Sequence, residues 1–315
     1  MSDVLFVKTS SLGDVIHHMP ALTEARVRRP ALRFAWVVEE TFAPLVRLHP
    51  AVDDVIPVAS RRWRRSFPGP STWREMGEFR RALRARHYDA IIDTQGLIRS
   101  ALIARAAHGR NHGYDAGSIR ERAASLLYDV RHSVARGQHA IARNRTLTGL
   151  ALGYSPEGPP DYGLDRAKLS PPSPGRYAVL LHATAQQQKE WPAENWIALG
   201  QSMRARNVRL VLPWGNARER ERSVAIASAL PNTDVPDLQP LDAVARLVAG
   251  ASLVVGVDTG LLHLAGAFGV PLVAIFVGSE PGLTGPMGQG PITVVGGNGE
   301  MPSALTVIAA VDRIA

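Results

Sequence analysis

The sequence predicts an α/β chain of two domains, each built on a parallel sheet. Its 315 residues are about twice the length of a typical domain, and 45% of them are hydrophobic, as in a globular protein. Apolar runs of strand length alternate with helical patterns in both halves of the chain. Such alternation is typical of parallel strands that are joined by crossover helices.

The elements of the first half follow from apolar runs and helical spacing. Residues 4–7 form a buried strand that enters a Ser/Gly turn, and a helix follows from about residue 14 to 28. Further strands are predicted over 34–38, 55–58 and 90–93, with a charged helix over 72–86 before the last one.

A proline-rich stretch separates the two halves. Six prolines crowd residues 155–175, a stretch without helical or alternating periodicity, so we place a linker at 161–175 between domains 1–160 and 176–315. The strands that follow are predicted over 177–181, 208–212, 253–257 and 271–277. The helices are predicted over 193–206, 217–230, 241–249, 261–268 and 303–314. The glycine-rich segment 278–299 has no assignment, and it stays open whether the last helix packs back on the first domain.

Charge and composition narrow the class of protein. The net charge of +8 and the pI near 10.4 predict an acidic partner: a phosphate-rich lipid, a nucleotide or a nucleic acid. The absence of cysteine excludes disulfides, thiolate nucleophiles and thiolate metal sites, and it suits a reducing compartment. No apolar run approaches the roughly 18 residues that span a bilayer, and the chain opens directly on a strand, so we expect a cytoplasmic protein.

A first candidate site lies between the first strand and the first helix, in the turn KTSSLGD that ends at Asp14. Ligands of open α/β sheets bind at the carboxyl ends of strands, which is where this turn lies. The turn is neither a GxGxxG nor a Walker sequence, so it does not by itself predict a dinucleotide or ATP site. Asp14 suits a general base facing a cleft between the domains, and it suits a helix N-cap equally well.

Two further candidates follow strands of the second half. The motif VDTGLLH places Asp258, Thr259 and Gly260 at a helix start whose amides can hold a pyrophosphate. A capped helix with a packed His263 would show the same pattern. The loop HATAQQQKEWP carries Lys189, which suits either neutralisation of a departing diphosphate in place of a metal ion or a solvated position in a polar loop.

The remaining candidates are a glutamate and a basic stretch. Glu219 can accept hydrogen bonds from ribose hydroxyls, although a first-turn glutamate that stabilises the helix dipole is the simpler interpretation. Nine arginines lie between residues 61 and 86 against two glutamates, with aromatic residues among them. Because arginine recognises phosphate and carboxylate, the stretch suits an anionic lipid head group, a nucleic acid or a solvated basic face.

Signals for other chemistries are missing from the sequence. There is no HExxH, GxSxG or DxD sequence and no carboxylate-rich metal loop. His17 and His18 form a dipeptide rather than a ligand pair at helical spacing. We therefore expect neither a metal nor a cofactor.

Taken together, seven blocks of the sequence resemble the ADP-heptose:lipopolysaccharide heptosyltransferases of glycosyltransferase family 9. They are most similar to the type I enzymes, which add the first heptose to Kdo. The similar blocks, in family order, are VKTSSLGDVIHHMPALTEA, WVVEE, IPVASRRWRR, YDAIIDTQGLIRSA, HATAQQQKEWP, LPWGNARERE and VDTGLLHLAGAFG. They are spread over most of the chain, from residue 7 to residue 269, and the first and last are specific.

The resemblance implies a GT-B fold, in which two Rossmann-like parallel-sheet domains face each other across a cleft, with the acceptor on the first and the donor on the second. It implies inverting, metal-independent transfer of heptose from ADP-heptose to the Kdo of anionic Kdo-lipid A. The enzyme would be peripheral on the cytoplasmic face of the inner membrane, with no nucleic acid as partner.

The resemblance also implies roles for individual residues. Asp14 would be the base, and Lys189 would meet the diphosphate or the heptose. The other donor residues would be Thr184, Ala185, Glu219, Asp258, Thr259, Gly260 and His263. The acceptor residues would be Ser10, Arg61, Arg62, Arg64, Arg65 and Arg120.

Departures and alternatives accompany the resemblance. Ala185 stands where the family often has a second threonine, and residues 276–282 replace a pattern closer to YGPTDPG, which affects the geometry expected near the diphosphate. A type II core heptosyltransferase or a protein heptosyltransferase is the alternative among enzymes. A basic nucleic-acid-binding protein is the alternative from another class.

Overall fold

The structure is a computed structural model that describes residues 3–67, 69–169, 175–184, 186–204, 206, 208–278, 280–297 and 299–314. The chain divides into two compact units, Met1–Gly163 and Leu164–Ala315. Of the segment predicted as a linker, residues 170–174 lie outside the described part.

The first unit alternates strands with helices. Its strands are β1 (Asp3–Val7), β2 (Arg33–Glu39), β3 (Asp54–Val58), β4 (His87–Asp93), β5 (His108–Tyr114) and β6 (Val130–His132). Its helices are α1 (Leu12–Arg28), α2 (Ala43–Val46), α3 (Ser60–Ser66), α4 (Pro70–Leu83), α5 (Ile98–Ala106) and α6 (Ala140–Leu152). The strands form one parallel sheet in the order β3-β2-β1-β4-β5-β6. This is the Rossmann order, which reverses between β1 and β4.

The second unit repeats that topology. Its strands are β7 (Tyr177–Leu181), β8 (Arg209–Val211), β9 (Thr233–Asp234), β10 (Leu253–Val257), β11 (Leu272–Phe276) and β12 (Ile292–Gly296). Its helices are α7 (Ala193–Arg204), α8 (Ala217–Ser228), α9 (Leu241–Gly250), α10 (Gly260–Ala267), α11 (Pro281–Thr284) and α12 (Ala304–Ile314). The sheet order is β9-β8-β7-β10-β11-β12, all parallel, so the reversal lies between β7 and β10. The last helix, α12, packs on α7, β11 and β12 of its own unit.

The core of each unit lies on both faces of its sheet. Every residue of β7, β10 and β11 is buried, as expected for parallel strands that are covered by helices on both sides. Helices of the described ranges all fall short of the length and apolar character that crossing a bilayer requires.

The α/β class with two parallel sheets is confirmed, but some elements differ from the prediction. The helix predicted over 72–86 ends at Leu83, and the arginine-rich residues before it form a separate helix, α3. No element was predicted between β4 and the linker, where the structure has α5, β5, β6 and α6. Their inward faces carry polar residues, such as His112 on β5 and Asn144 on α6, which hide the apolar periodicity.

Candidate active site

The first candidate motif lies where the strand order of the first sheet reverses, the usual ligand position in such sheets. The loop after β1 is tied to the loop after β4. The side-chain oxygen of Gln95 accepts hydrogen bonds from the backbone N–H groups of Thr9 (3.0 Å) and Ser10 (3.2 Å). Lys8 Nζ donates to the carbonyl oxygen of Thr94 (2.9 Å). These bonds fix the loop that leads into α1.

Asp14 lies in the first turn of α1 and is half-buried. Its Oδ2 accepts hydrogen bonds from the backbone N–H (2.8 Å) and the hydroxyl (3.1 Å) of Ser11. The N-cap interpretation of Asp14 is therefore wrong in detail: Ser11 is the N-cap, and Asp14 binds back onto it from three residues further on. This contact orients the carboxylate.

Asp14 lines a pocket of about 730 Å³ in the first unit. The same pocket is also lined by Ser10, Gln95, Arg99 and Arg120. Arg99 Nη2 donates to the Ser10 hydroxyl (2.5 Å), so a guanidinium reaches the loop that carries Asp14. The pocket thus combines two carboxylates, Asp14 and Glu121, with two arginines.

A smaller pocket of about 130 Å³ is lined by Asp14 and Arg120 together with Lys8 and Arg143. Lys8 is buried. Burial lowers the pKa of its ammonium, and the negative charges of Asp14 and Asp93 act in the opposite direction. Burial likewise raises the pKa of Asp93, against the hydrogen bond that it receives from Tyr128.

The predicted acceptor residues fall into two groups. Ser10 and Arg120 lie with Asp14 in the larger pocket. Arg61, Arg62, Arg64 and Arg65 are exposed on α3, and none of them is among the described residues that line that pocket. Arg62 is engaged by Glu40 (3.0 Å) and Glu75 (2.7 Å), and these two carboxylates raise its pKa through hydrogen bonds.

Sequence reasoning gave no role to Gln95 and Arg99, although both lie in the block YDAIIDTQGLIRSA. The sequence held a signal for Gln95 but none for Arg99. Gln95 follows β4, which lies beside β1 where the strand order reverses. Ligands of such sheets bind at this position, so a role for Gln95 could have been predicted. The reach of Arg99 depends on its side-chain conformation, which the sequence does not give.

The second unit has a polar cluster at its own reversal point, centred on Asp258 directly after β10. Asp258 Oδ2 lies 2.7 Å from Lys189 Nζ, and its Oδ1 lies 3.7 Å from His263 Nε2. Its carbonyl oxygen accepts a hydrogen bond from the Thr184 hydroxyl (3.0 Å). The structure therefore brings Thr184, Lys189, Asp258 and His263 together, whereas Ala185 lies outside the described residues.

Lys189 is positioned by the loop between β7 and α7. It ends a short 3-10 turn, Gln187–Lys189, two residues before the fully buried Trp191. The indole N–H of Trp191 donates to the carbonyl of Pro302 (2.8 Å), and its ring packs edge-on against Trp196 at 5.1 Å. The side chain of Lys189 itself stays partly exposed, so an anion can reach it.

The start of α10 completes this cluster. Thr259 is the N-cap and Gly260 the first residue of the helix. The first N–H groups of a helix have no partner within it and carry partial positive charge. This helix start, beside the Lys189 ammonium, therefore suits a diphosphate.

Glu219 lies in the first turn of α8, after β8. Its carboxylate accepts hydrogen bonds from the Gly215 backbone N–H (2.7 Å) and from Asn216 Nδ2 (2.7 Å), and Asn216 is the N-cap. The structure thus shows the capping interaction, and a ribose would have to share these acceptor oxygens. Within the described ranges, no three His, Asp or Glu side chains converge so as to hold a metal ion.

Arg218, beside Glu219, links α8 to the loop after β7. It donates to Glu190 (2.7 Å) and to the carbonyl of Thr184 (3.4 Å). Burial by itself would raise the pKa of Glu190, but the hydrogen bond from Arg218 and the charge of Arg222 outweigh it and lower that pKa. The loop that carries Lys189 is thereby braced by a charged pair.

Comparisons with known proteins agree with this architecture. The model of glycosyltransferase family 9 (heptosyltransferase) matches residues 76–306. Lipopolysaccharide heptosyltransferase 1 of Escherichia coli (strain K12) is 45% identical over 290 residues, which are 91% of this chain and 91% of that protein. The structure of E. coli heptosyltransferase WaaC with ADP has a TM-score of 0.93 at 42% identity and covers 99% of this chain and 100% of that one. The structure of E. coli WaaC with ADP-2-deoxy-2-fluoro heptose has a TM-score of 0.89 at 41% identity, with the same coverage.

Two Rossmann-type sheets, each with a polar site at its reversal point, define a glycosyltransferase of the GT-B fold. The chain belongs to glycosyltransferase family 9, the heptosyltransferases. The predicted resemblance to the type I enzymes is confirmed.

Proposed function

We propose that this chain transfers heptose from ADP-heptose to the Kdo of Kdo-lipid A in lipopolysaccharide core synthesis. The transfer inverts the anomeric centre and uses no metal ion or cofactor. The name of the E. coli relative and the two ligands of the WaaC structures support the reaction and the donor. The enzyme works at the cytoplasmic face of the inner membrane, where a lipid acceptor is accessible.

The observation that carries this proposal is the pocket of Asp14. A carboxylate oriented by a helix start shares the pocket with Arg99 and Arg120. Kdo is an acidic sugar, and arginine binds carboxylates through paired hydrogen bonds. We assign acceptor binding to Ser10, Arg99 and Arg120, with the exposed α3 arginines meeting further anionic groups.

The chemical step needs one base and one leaving-group site. Asp14 accepts the proton of the attacking hydroxyl, a contribution typically worth about 10²–10⁴-fold. The hydroxyl oxygen bonds to the anomeric carbon of the heptose, while the bond from that carbon to the ADP oxygen breaks. Attack opposite the departing ADP inverts the configuration.

The donor is assigned to the second unit. The diphosphate lies at the start of α10, at Thr259 and Gly260, where Lys189 neutralises the charge that develops on ADP. Thr184, Asp258 and His263 complete this site, and Glu219 meets the ribose. Fixed cations and helix amides supply what a metal ion supplies in other enzymes.

The test is a reaction of the purified chain with ADP-heptose and Kdo-lipid A in excess EDTA, followed by mass spectrometry of the lipid. We expect the acceptor to gain the mass of one heptose, and NMR of the product to show the anomeric configuration opposite to that of the donor. Failure to modify the acceptor, or a strict need for added Mg²⁺, would contradict the proposal.

The choice of acceptor separates the alternatives among enzymes, and binding measurements test the nucleic-acid alternative. A type II core enzyme would leave Kdo-lipid A unmodified, and a protein heptosyltransferase would modify a polypeptide instead. A nucleic-acid-binding protein would bind RNA with a steep salt dependence and would not bind ADP in the absence of Mg²⁺.

A further inference from the structure

Two aromatic side chains are exposed at the turn between α3 and α4. Phe67 is 57% exposed and Trp73 is 55% exposed, although both are large apolar residues. Their ring centroids are 5.4 Å apart, so each ring covers part of the other. Met76, one turn further along α4 on the same side, is also exposed. We call Phe67, Trp73 and Met76 the aromatic tip.

The turn that carries the aromatic tip is held by hydrogen bonds. The backbone N–H of Gly69 donates to the carbonyl of Ser66 (2.9 Å). The buried Thr72 and Ser66 share a hydrogen bond between their hydroxyls (3.0 Å). These bonds tie the end of α3 to the start of α4, next to the aromatic tip.

A second tryptophan of the same segment shows the contrast. Trp63 packs edge-on against Phe79, at 5.7 Å between ring centroids, next to the core of the unit. Its indole N–H donates to Glu75 (2.8 Å). Trp63 thus anchors the segment from inside, whereas Trp73 projects from it.

The surroundings of the aromatic tip are strongly basic. Seven arginines and two glutamates lie between residues 60 and 83. Arg62 is engaged by carboxylates, but Arg64 and Arg65 are exposed close in sequence to Phe67, and Arg80 and Arg81 are exposed further along α4. A surface of this charge is complementary to an anionic partner.

We propose that the aromatic tip and the exposed arginines of α3 and α4 form the surface by which this enzyme docks on an anionic phospholipid bilayer. Tryptophan and phenylalanine insert at the level of the head groups, while arginines contact the phosphates. This inference rests on the proposed function, in which the acceptor is a lipid.

The experiment compares the double variant Phe67→Ser/Trp73→Ser with the wild type in sedimentation with vesicles of phosphatidylethanolamine and phosphatidylglycerol. We expect vesicle partitioning to fall roughly 10-fold or more, because both exposed aromatic side chains are lost. The control variant Leu150→Ser/Leu305→Ser removes side chains that are 48% and 77% exposed elsewhere, and it should bind like the wild type. Equal thermal unfolding midpoints will show that all three proteins are folded.

Two further comparisons vary the charge of the vesicles and the solubility of the acceptor. Vesicles of phosphatidylcholine alone should bind the wild type more weakly, by roughly 5-fold for each arginine that contacts the surface. A deacylated, water-soluble Kdo acceptor should be used by the double variant at the wild-type kcat/KM, whereas its activity on acceptor embedded in vesicles should fall.

Several results would overturn the docking surface. These are a wild type that does not bind anionic vesicles, a double variant that binds them equally well, or loss of RNA binding alone in the double variant. If the wild type binds vesicles but cannot use the soluble acceptor, the proposed function fails while the docking result stands by itself.

Discussion

Lys189 and Asp258 pair at 2.7 Å in the place proposed for the donor diphosphate. The ammonium is thus held by a carboxylate of one negative charge, for which a diphosphate of higher charge can compete. Both side chains are partly exposed, so the exchange needs no rearrangement of the buried Trp191 that anchors this loop. The pair therefore keeps the lysine oriented before the donor binds.

Replacing Lys189 tests this role. Lys189→Met should lower kcat roughly 10²–10³-fold, because the departing ADP loses its fixed cation. Lys168→Met is the matched control: Lys168 is exposed and pairs with Asp165 at 3.7 Å, and its loss should leave kcat unchanged. Steady-state ADP release measures both variants, and a Lys189 variant of nearly normal kcat would remove the lysine from the mechanism.

Arg99 is the acceptor contact that sequence reasoning missed. Arg99→Gln should raise KM for Kdo-lipid A roughly 10-fold, since a charged hydrogen bond of about 1.5 kcal/mol is lost, and it should leave KM for ADP-heptose unchanged. Arg105→Gln is the control, because Arg105 lies on the same helix but pairs with Asp129. An equal change in both KM values would point to general damage instead.

Strand β10 carries a close packing contact beneath the donor site. A Cβ at Gly256 would lie 2.9 Å from Leu181 Cβ on β7 and 3.0 Å from Leu262 Cδ1 on α10. Glycine at this position therefore lets β10 pack closely on both elements. The elements that position Asp258 and Lys189 depend on this contact.

Gly256→Ala should lower the free energy of unfolding by about 1–3 kcal/mol through overpacking. Gly77→Ala should instead raise the free energy of unfolding by about 0.5–1 kcal/mol. A Cβ at Gly77 meets nothing within 4 Å, and alanine is more favourable than glycine in a helix interior. Urea unfolding of both variants measures the difference. A stabilised Gly256 variant would show that the side chains of Leu181 and Leu262 make room for a Cβ without cost.

The sequence predicted those elements whose inward faces are apolar. Strands β7 and β10 are buried throughout and were predicted with the bounds that the structure shows. Strand β5 (HGRNHGY) and helix α6 were missed because polar side chains such as Asn111, His112 and Asn144 lie on their buried faces. Hydrophobic periodicity has no signal for such elements.

The site was predictable to the extent that it follows strand ends. Asp14, Lys189 and Asp258 all follow strands beside a reversal of strand order, and a general rule places ligands there. The contacts among them depend on side-chain conformation. The sequence therefore could not predict the hydrogen bonds between Ser11 and Asp14 or the ion pairs of Arg62 with two glutamates.

At the scale of the whole molecule, buried histidines couple stability to pH. Burial lowers the pKa of His49 and of His182 to about 4. His49 Nδ1 accepts a hydrogen bond from the backbone N–H of Ala51 (3.1 Å), which requires that nitrogen to be unprotonated. His182 bonds to the Ser223 hydroxyl at 2.7 Å within the second unit.

The sign of the pH effect follows from these depressed values. Between pH 4 and the ordinary histidine pKa of about 6.5, the unfolded chain binds more protons than the folded one. The stability that comes from keeping these two histidines neutral is fully present above about pH 6.5, and it is lost as the pH falls from 6.5 towards 4. Urea unfolding at pH 7.5 and at pH 5 should show a loss on the order of 1–3 kcal/mol per histidine. Equal stability at both pH values would contradict the expectation.

The most direct test of the central claim is the kinetics of Asp14→Asn. Asparagine keeps an oxygen that can accept the Ser11 bonds at the start of α1, so the variant removes the base and not the fold. We predict that kcat for heptose transfer to Kdo-lipid A falls about 10²-fold or more, with ADP-heptose binding nearly unchanged. A variant that keeps wild-type kcat would show that Asp14 is not the base.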